Sequence, residues 1–70
     1  MKRRDVLERL QRAARARDLD FAVHELTNHT AVRVGNTSKT LGRHANINDV
    51  TVRQFWEEFS DELGKGWWRK

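Results

Sequence analysis

The chain contains no cysteine among its 70 residues, and its apolar residues never form a long continuous run. The absence of cysteine excludes a disulfide framework and a thiolate metal site. A membrane-spanning helix needs about 20 consecutive apolar residues, and the basic residues after Met1 are not followed by the apolar segment of a signal peptide. We therefore expect a cytoplasmic protein with no membrane partner.

The short chain also limits the kind of site that it can form. We expect one domain over residues 1–70, in which residues 65–70 form a short C-terminal tail. A domain of this size buries only about 60% of the surface that its unfolded chain exposes, which leaves little room for an enclosed cofactor cavity. A shallow surface site without a cofactor is the expected arrangement.

Positive charge is concentrated in two parts of the chain. The net charge is +4 and the isoelectric point is about 10.4. Residues 1–17 contain seven basic and two acidic side chains, residues 29–44 three basic and none acidic, and residues 49–64 one basic and five acidic. A basic surface favours polyanions through phosphate neutralisation and counterion release, although a modest positive charge is also common in small domains for solubility alone.

Residues 3–17 have the apolar spacing of an amphipathic helix. Arg9, Arg12 and Arg15 follow one another at three-residue intervals on the opposite face. Such a stripe is typical of an ordinary solvated face, and arginine also suits phosphate contact. The apolar face consists of Val6, Leu7, Leu10, Ala13 and Ala14.

A second helix is expected near the C-terminus. Asn48 or Asp49 can cap its start, and Gly64 fits the position just after its end at Leu63. Its apolar stripe consists of Val52, Phe55, Trp56, Phe59 and Leu63. The pair Trp67-Trp68 follows in the tail, where the indoles either anchor a partner or cover the small core.

Three strands are expected between the helices. Residues 20–26 and 29–34 alternate in the manner of half-buried strands, with Phe21 and Val23 facing the helices. Turn residues at 35–38 precede a weaker third strand over 38–43. The sequence thus predicts an α+β protein of order α-β-β-β-α, with a three-stranded antiparallel sheet and both helices on one face.

His29 is the candidate acid/base residue among the three histidines. His24, His29 and His44 lack the local spacing of a metal site, and we expect no metal. His29 begins a strand on its polar face, and an ordinary imidazole titrates near neutral pH. RNA provides its own nucleophile, the 2′-hydroxyl, so a base and nearby cations suffice for cleavage. The alternative is a surface histidine without a function.

The same residues carry a resemblance to a known family. The segment Thr27-Asn28-His29-Thr30-Ala31-Val32-Arg33-Val34, followed by Leu41-Gly42-Arg43-His44 and by a helix that ends in Glu62-Leu63-Gly64, resembles the HicA family of mRNA-interferase toxins. The N-terminal segment is also similar, so the likeness extends over residues 2–64. Leu26 replaces the family's glycine before the histidine motif, and Ala45 replaces its proline.

The resemblance implies a fold like that of double-stranded-RNA-binding domains and a catalytic histidine at His29. It also implies metal-independent cleavage of mRNA and neutralisation by a cognate HicB-type antitoxin. The residues expected to bind RNA phosphates are Arg33, Lys39, Arg43, His44, Arg9, Arg12 and Arg15.

Two alternatives to a toxin remain. One is a non-catalytic RNA-binding module of the same fold, in which His29 is only a contact. The other is a protein-interaction subunit that docks a partner through the acidic second helix and the Trp67-Trp68 tail.

Overall fold

The computed structural model describes residues 1–69 and has the expected order of helix, three strands and helix. None of the helices in this range is long and apolar enough to cross a membrane. The elements are α1 Arg3–Ala16, β1 Phe21–Glu25, β2 His29–Val34, β3 Thr37–Gly42, α2 Asp49–Glu57, α3 Ser60–Leu63 and a 3-10 turn at Trp67–Arg69.

The three strands form an antiparallel sheet in the order β1-β2-β3, so β2 is central. Alternation along β2 buries Thr30, Val32 and Val34 completely, whereas His29, Ala31 and Arg33 point to the other side. We call these two sides the helix face and the open face.

Both helical segments cover the helix face, as the sequence predicts. Buried residues of α1, β2, β3 and α2 belong to a single apolar cluster, and the Trp56 indole donates a hydrogen bond to the Val6 carbonyl oxygen at 3.3 Å. The Asn48 side chain caps α2 by accepting from the Thr51 amide at 2.8 Å. The core consists of Val6, Leu10, Ala14, Val32, Val34, Leu41, Ile47, Val52, Phe55, Trp56, Phe59 and Leu63.

The hairpin between β2 and β3 is tighter than the sequence analysis predicted. Gly35 has a φ of +57°, a conformation that glycine adopts without steric cost. The Glu62 carboxylate also accepts from the Asn36 amide at 3.0 Å. The chain therefore reverses within two residues, and β3 begins at Thr37 instead of residue 38.

The second helix is interrupted, which the sequence analysis did not predict. Phe59 has φ −101° and ψ 14°, and its amide bonds to the Trp56 carbonyl three residues back. The backbone bends there and places the Phe59 ring, which is fully buried, in the core. The expected helix to Leu63 is consequently divided into α2 and α3, and Gly64 follows α3 with a φ of +92°.

The C-terminal tryptophans pack against the core. The Trp67 indole donates to the Trp56 carbonyl oxygen at 2.9 Å, and the Trp68 indole donates to Glu57 Oε1 at 2.7 Å. Both rings are half-buried. Of the two alternatives for the tail, the structure supports the one in which the indoles cover the small core.

Candidate functional site

The open face carries small side chains on all three strands, together with two histidines and one arginine on β1 and β2. The register aligns Ala22 with Arg33 and Ser38, His24 with Ala31 and Thr40, and His29 with Gly42. None of these eight strand residues is acidic and none is buried. The result is a shallow surface opposite the helices, and Arg33 carries the one permanent charge among these eight residues.

His29 lies at one end of this face, next to the turn between β1 and β2. Its side chain is exposed, and its carbonyl oxygen accepts from the Leu26 amide at 2.8 Å. Among residues 1–69, the only non-glycine residue with positive φ is Asp18. The turn that presents His29 therefore does not need a glycine at position 26, which Leu26 occupies.

His44 approaches the same end of the face from the opposite strand. A Cβ atom placed on Gly42 would lie 3.4 Å from His44 Cδ2, so the imidazole rests on the space that glycine leaves. Gly42 is the partner of His29, and Cβ positions of such partners are about 4.5–5.5 Å apart. The His44 imidazole therefore lies beside Gly42, the strand partner of His29, at the same end of the sheet.

The loop that carries His44 is fixed against the start of α1. The Ala45 carbonyl oxygen accepts from the Arg3 amide at 2.9 Å, and the Ile47 amide donates to the Met1 carbonyl oxygen at 2.8 Å. The Ala45 carbonyl oxygen thus holds the loop against the start of α1. This anchoring limits the movement of His44 relative to the sheet.

His24 shares the open face, and the sequence analysis did not include it in the site. It pairs with Ala31, so it is a diagonal neighbour of His29, at roughly 7–8 Å between such positions. Strand parity could have revealed it, because the expected placement of Phe21 and Val23 toward the helices puts His24 on the opposite face.

Arg43 is a positioning residue for the turn before His29. Its Nη1 donates to the Leu26 and Thr27 carbonyl oxygens, each at 3.3 Å, and its Nε lies 3.2 Å from Glu25 Oε2. These contacts direct the guanidinium toward the turn and Glu25, away from the open face. The sequence analysis expected Arg43 to bind phosphate beside His29, and the structure does not place it there.

Glu25 connects the elements around this turn. Its Oε1 accepts from the Thr30 hydroxyl at 2.8 Å and from Arg3 Nη2 at 2.9 Å, and Arg3 also donates to Thr30. The Thr30 hydrogen bond, followed by the hydrogen bond and charge of Arg3 and the charge of Arg43, holds the pKa of Glu25 below 4.5 against the opposing effect of desolvation. The carboxylate thereby ties β1 to α1 and to the end of β3.

The Glu25 network predicts a pH dependence of stability. A carboxyl whose pKa is lower in the folded chain stabilises it above the unfolded pKa, and this contribution is lost as the pH falls through the folded pKa. Below about pH 4.5 the native protein should therefore lose stability more steeply than Glu25→Gln. Urea midpoints between pH 7 and pH 3 measure the difference, with Glu58→Gln at an exposed position as the control. Parallel curves for native protein and Glu25→Gln would contradict the prediction.

Arg33 and Lys39 lie on opposite faces of the sheet. Arg33 is on the open face, but its Nη1 donates to the Gly35 carbonyl oxygen at 2.8 Å, at the end of β2 remote from His29. Lys39 pairs with the buried Val32 and therefore belongs to the helix face. The expected basic patch of Arg33, Lys39 and Arg43 does not form, and only Arg33 shares the face of His29.

The arginine stripe of α1 is also divided. Arg9 Nη2 donates to the Trp68 carbonyl oxygen at 2.6 Å, and its guanidinium carbon lies 5.3 Å from the Trp56 ring centroid, so Arg9 packs on the tail. Arg12 and Arg15 are exposed. Because α1 packs on the helix face, neither lies on the surface that carries His29, and binding of RNA by these two residues stays a prediction.

The described residues 1–69 contain no group of three or more histidine, cysteine, aspartate or glutamate side chains arranged to hold a metal ion. Comparisons of the chain with protein-family models, curated proteins and solved structures find no match. A functional assignment therefore depends on the residues and their geometry.

Proposed function

We propose that this protein is an endoribonuclease that cleaves mRNA on the open face of its sheet, and that it is a toxin of the HicA type. The observation that carries the proposal is that the His44 imidazole lies beside Gly42, the strand partner of His29. Two imidazoles beside a surface without acidic side chains suit a phosphodiester. The order of helix, three antiparallel strands and helix agrees with the double-stranded-RNA-binding-domain-like fold that the resemblance implies.

The reaction uses the nucleophile that RNA carries. His29 accepts the proton of the 2′-hydroxyl while the 2′-oxygen attacks phosphorus. The bond between phosphorus and the 5′-oxygen breaks, and protonated His44 donates a proton to the departing 5′-oxygen. The products are a 2′,3′-cyclic phosphate and a free 5′-hydroxyl. Arg33 contacts a neighbouring phosphate on the same face, and Arg43 acts through the turn that presents His29.

Cleavage of a labelled single-stranded RNA in EDTA tests this proposal. We expect the native protein to cut the RNA without a divalent metal and to leave a 2′,3′-cyclic phosphate, because the histidines and the 2′-hydroxyl complete the reaction. A 2′-deoxy oligonucleotide of the same sequence should bind and stay intact. Cleavage of the deoxy strand, or a requirement for metal, would contradict the mechanism.

The second candidate is a non-catalytic RNA-binding module of the same fold. The observation that favours it is the same open face, whose Arg33 and histidines bind phosphates whether or not cleavage follows. Retention of RNA at low salt without any cleavage product in the assay above would support this alternative. The protein-interaction alternative stays a prediction: Trp67 and Trp68 are half-buried against the core, and only their exposed parts and the acidic second helix are available to a partner.

A toxin that cuts mRNA also requires an inhibitor, and we propose a HicB-type antitoxin that covers the open face. His29 is exposed on a shallow surface, so a partner blocks it by contact alone. An acidic patch on the antitoxin would complement Arg33 and increase the association rate more than the affinity.

Chemical modification tests the coverage of His29. In the complex, diethylpyrocarbonate should modify His29 much more slowly than in the free protein, as measured by peptide mass spectrometry. Full reactivity of His29 in an inactive complex would show that the antitoxin inhibits from another surface.

A further inference from the structure

β1 is an edge strand whose outward backbone groups are exposed. The Gly35 amide donates to the Asp20 carbonyl oxygen at 2.9 Å and the Leu26 amide to the His29 carbonyl oxygen at 2.8 Å. Hydrogen-bonded pairs alternate along an antiparallel ladder, so residues 20, 22, 24 and 26 bond inward to β2. Phe21, Val23 and Glu25 therefore direct their amides and carbonyls outward.

No turn, loop or cap hydrogen bond within residues 1–69 uses these outward groups. An exposed strand edge is a template for another extended chain. The side chain of Val23 is also 40% exposed although it lies on the helix face. This edge thus offers both backbone partners and apolar surface.

A groove with arginines along its wall runs beside this edge. Leu7, Phe21 and Val23 provide its apolar floor, and Glu8 is its one acidic residue. The remaining residues that line it are Arg3, Arg4, Gln11, Arg12 and Arg15. Arg3 pairs with Glu25 and Arg12 with Glu8, and the excess of arginine that remains makes the groove complementary to an acidic ligand.

The exposed edge of β1 and the row of arginines along α1 have the same length. From Arg4 to Arg15 the helix rises about 16 Å, at roughly 1.5 Å per residue. The five residues of β1 extend about 16 Å, at roughly 3.3 Å per residue. One extended segment of about five residues is therefore long enough to extend along the whole edge and past the arginines of the groove.

We propose that β1 is a docking site for an acidic polypeptide segment, which adds to the sheet as a fourth strand. The segment forms backbone hydrogen bonds with Phe21, Val23 and Glu25, and its carboxylates contact Arg4, Arg12 and Arg15. This mode of recognition obtains affinity from main-chain bonds and specificity from alternate side chains. The proposal is independent of ribonuclease activity. The groove lies on the helix face of the sheet, whereas His29 lies on the open face, and binding of the segment requires no catalysis.

A protein segment fits this surface better than RNA does. The outward amides and carbonyls of β1 alternate at the spacing of another strand, and an RNA backbone offers acceptors but no matching donors. The exposed side chain of Val23 also gains from a neighbouring apolar side chain and not from a phosphate. RNA binding in this groove is the alternative that the experiment must detect.

Binding of a fluorescein-labelled octapeptide of alternating valine and glutamate to the full chain tests the proposal. Val23→Pro removes an outward amide without removing a bond to β2, and we expect it to weaken peptide binding at least tenfold. Thr40→Pro is the matched control at the other edge, because the same alternation directs the Thr40 amide away from β2. Glutamine in place of glutamate in the peptide should weaken binding several-fold, as should Arg15→Gln in the protein.

Amide exchange in the native protein provides a measurement that does not depend on the folding of the proline variant. With the peptide bound, the amides of Phe21, Val23 and Glu25 should exchange more slowly, and that of Thr40 should not change. The proposal is overturned if the peptide does not bind, if these amides gain no protection, or if Val23→Pro and Arg15→Gln weaken binding of a single-stranded RNA but not of the peptide.

Discussion

His29→Ala should reduce RNA cleavage by about 100- to 10,000-fold, the usual contribution of a positioned acid/base group. His29 is exposed on the open face and absent from the core, so its removal should leave the thermal transition unchanged. RNA affinity should fall little, because Arg33 and His24 remain on the face to contact phosphates. Single-turnover cleavage rates and circular-dichroism melting curves measure the two effects separately. Induced expression in bacteria should show that the variant no longer arrests growth.

His24→Ala is the matched control for this prediction. It removes the same imidazole from the same face, but His24 pairs with Ala31 and not with Gly42. We expect its cleavage rate to stay within about threefold of the native rate, in contrast to the loss expected of an acid/base group. If both variants lose the same amount of cleavage activity, the face needs its total positive charge. If His29→Ala is as toxic as the native protein, His29 is not catalytic.

Phe59→Ala should abolish the cooperative thermal transition. The Phe59 ring is fully buried and packs edge-on against Phe55, with ring centroids 5.2 Å apart. Removal of such a ring costs about 3–5 kcal/mol, whereas small domains have about 5–15 kcal/mol in total. The variant should therefore be largely unfolded near body temperature, as differential scanning calorimetry would measure.

Val50→Ala is the control for Phe59→Ala. Val50 belongs to the same helical segment but is 56% exposed, so the change should alter the free energy of unfolding by no more than about 0.5 kcal/mol. If Phe59→Ala melts like the native protein but loses RNA binding, Phe59 is a base-stacking residue and its assignment to the core is wrong.

Local patterns determined the elements and the core of this protein. The apolar spacing of residues 3–17 and 49–63 predicts which helical side chains are buried, and the structure buries Val6, Leu10, Phe55 and Phe59 as expected. Alternation in residues 29–34 likewise predicts that His29 lies on the exposed side of its strand. These predictions are possible because side chains repeat at a fixed period in a helix and in a strand. Burial of one face therefore requires apolar residues at that same period in the sequence.

Only the tertiary structure decided which charged side chains lie together. Strand register places Lys39 opposite Val32 and Gly42, beside which His44 lies, opposite His29, and neither pairing can be derived from spacing along the chain. Long side chains are also redirected by partners remote in sequence: Arg43 turns toward Glu25, and Arg9 folds onto the Trp68 carbonyl. The sequence by itself determined a basic α+β chain with His29 exposed. Pairing between strands and contacts between distant charges decided the composition of its candidate site.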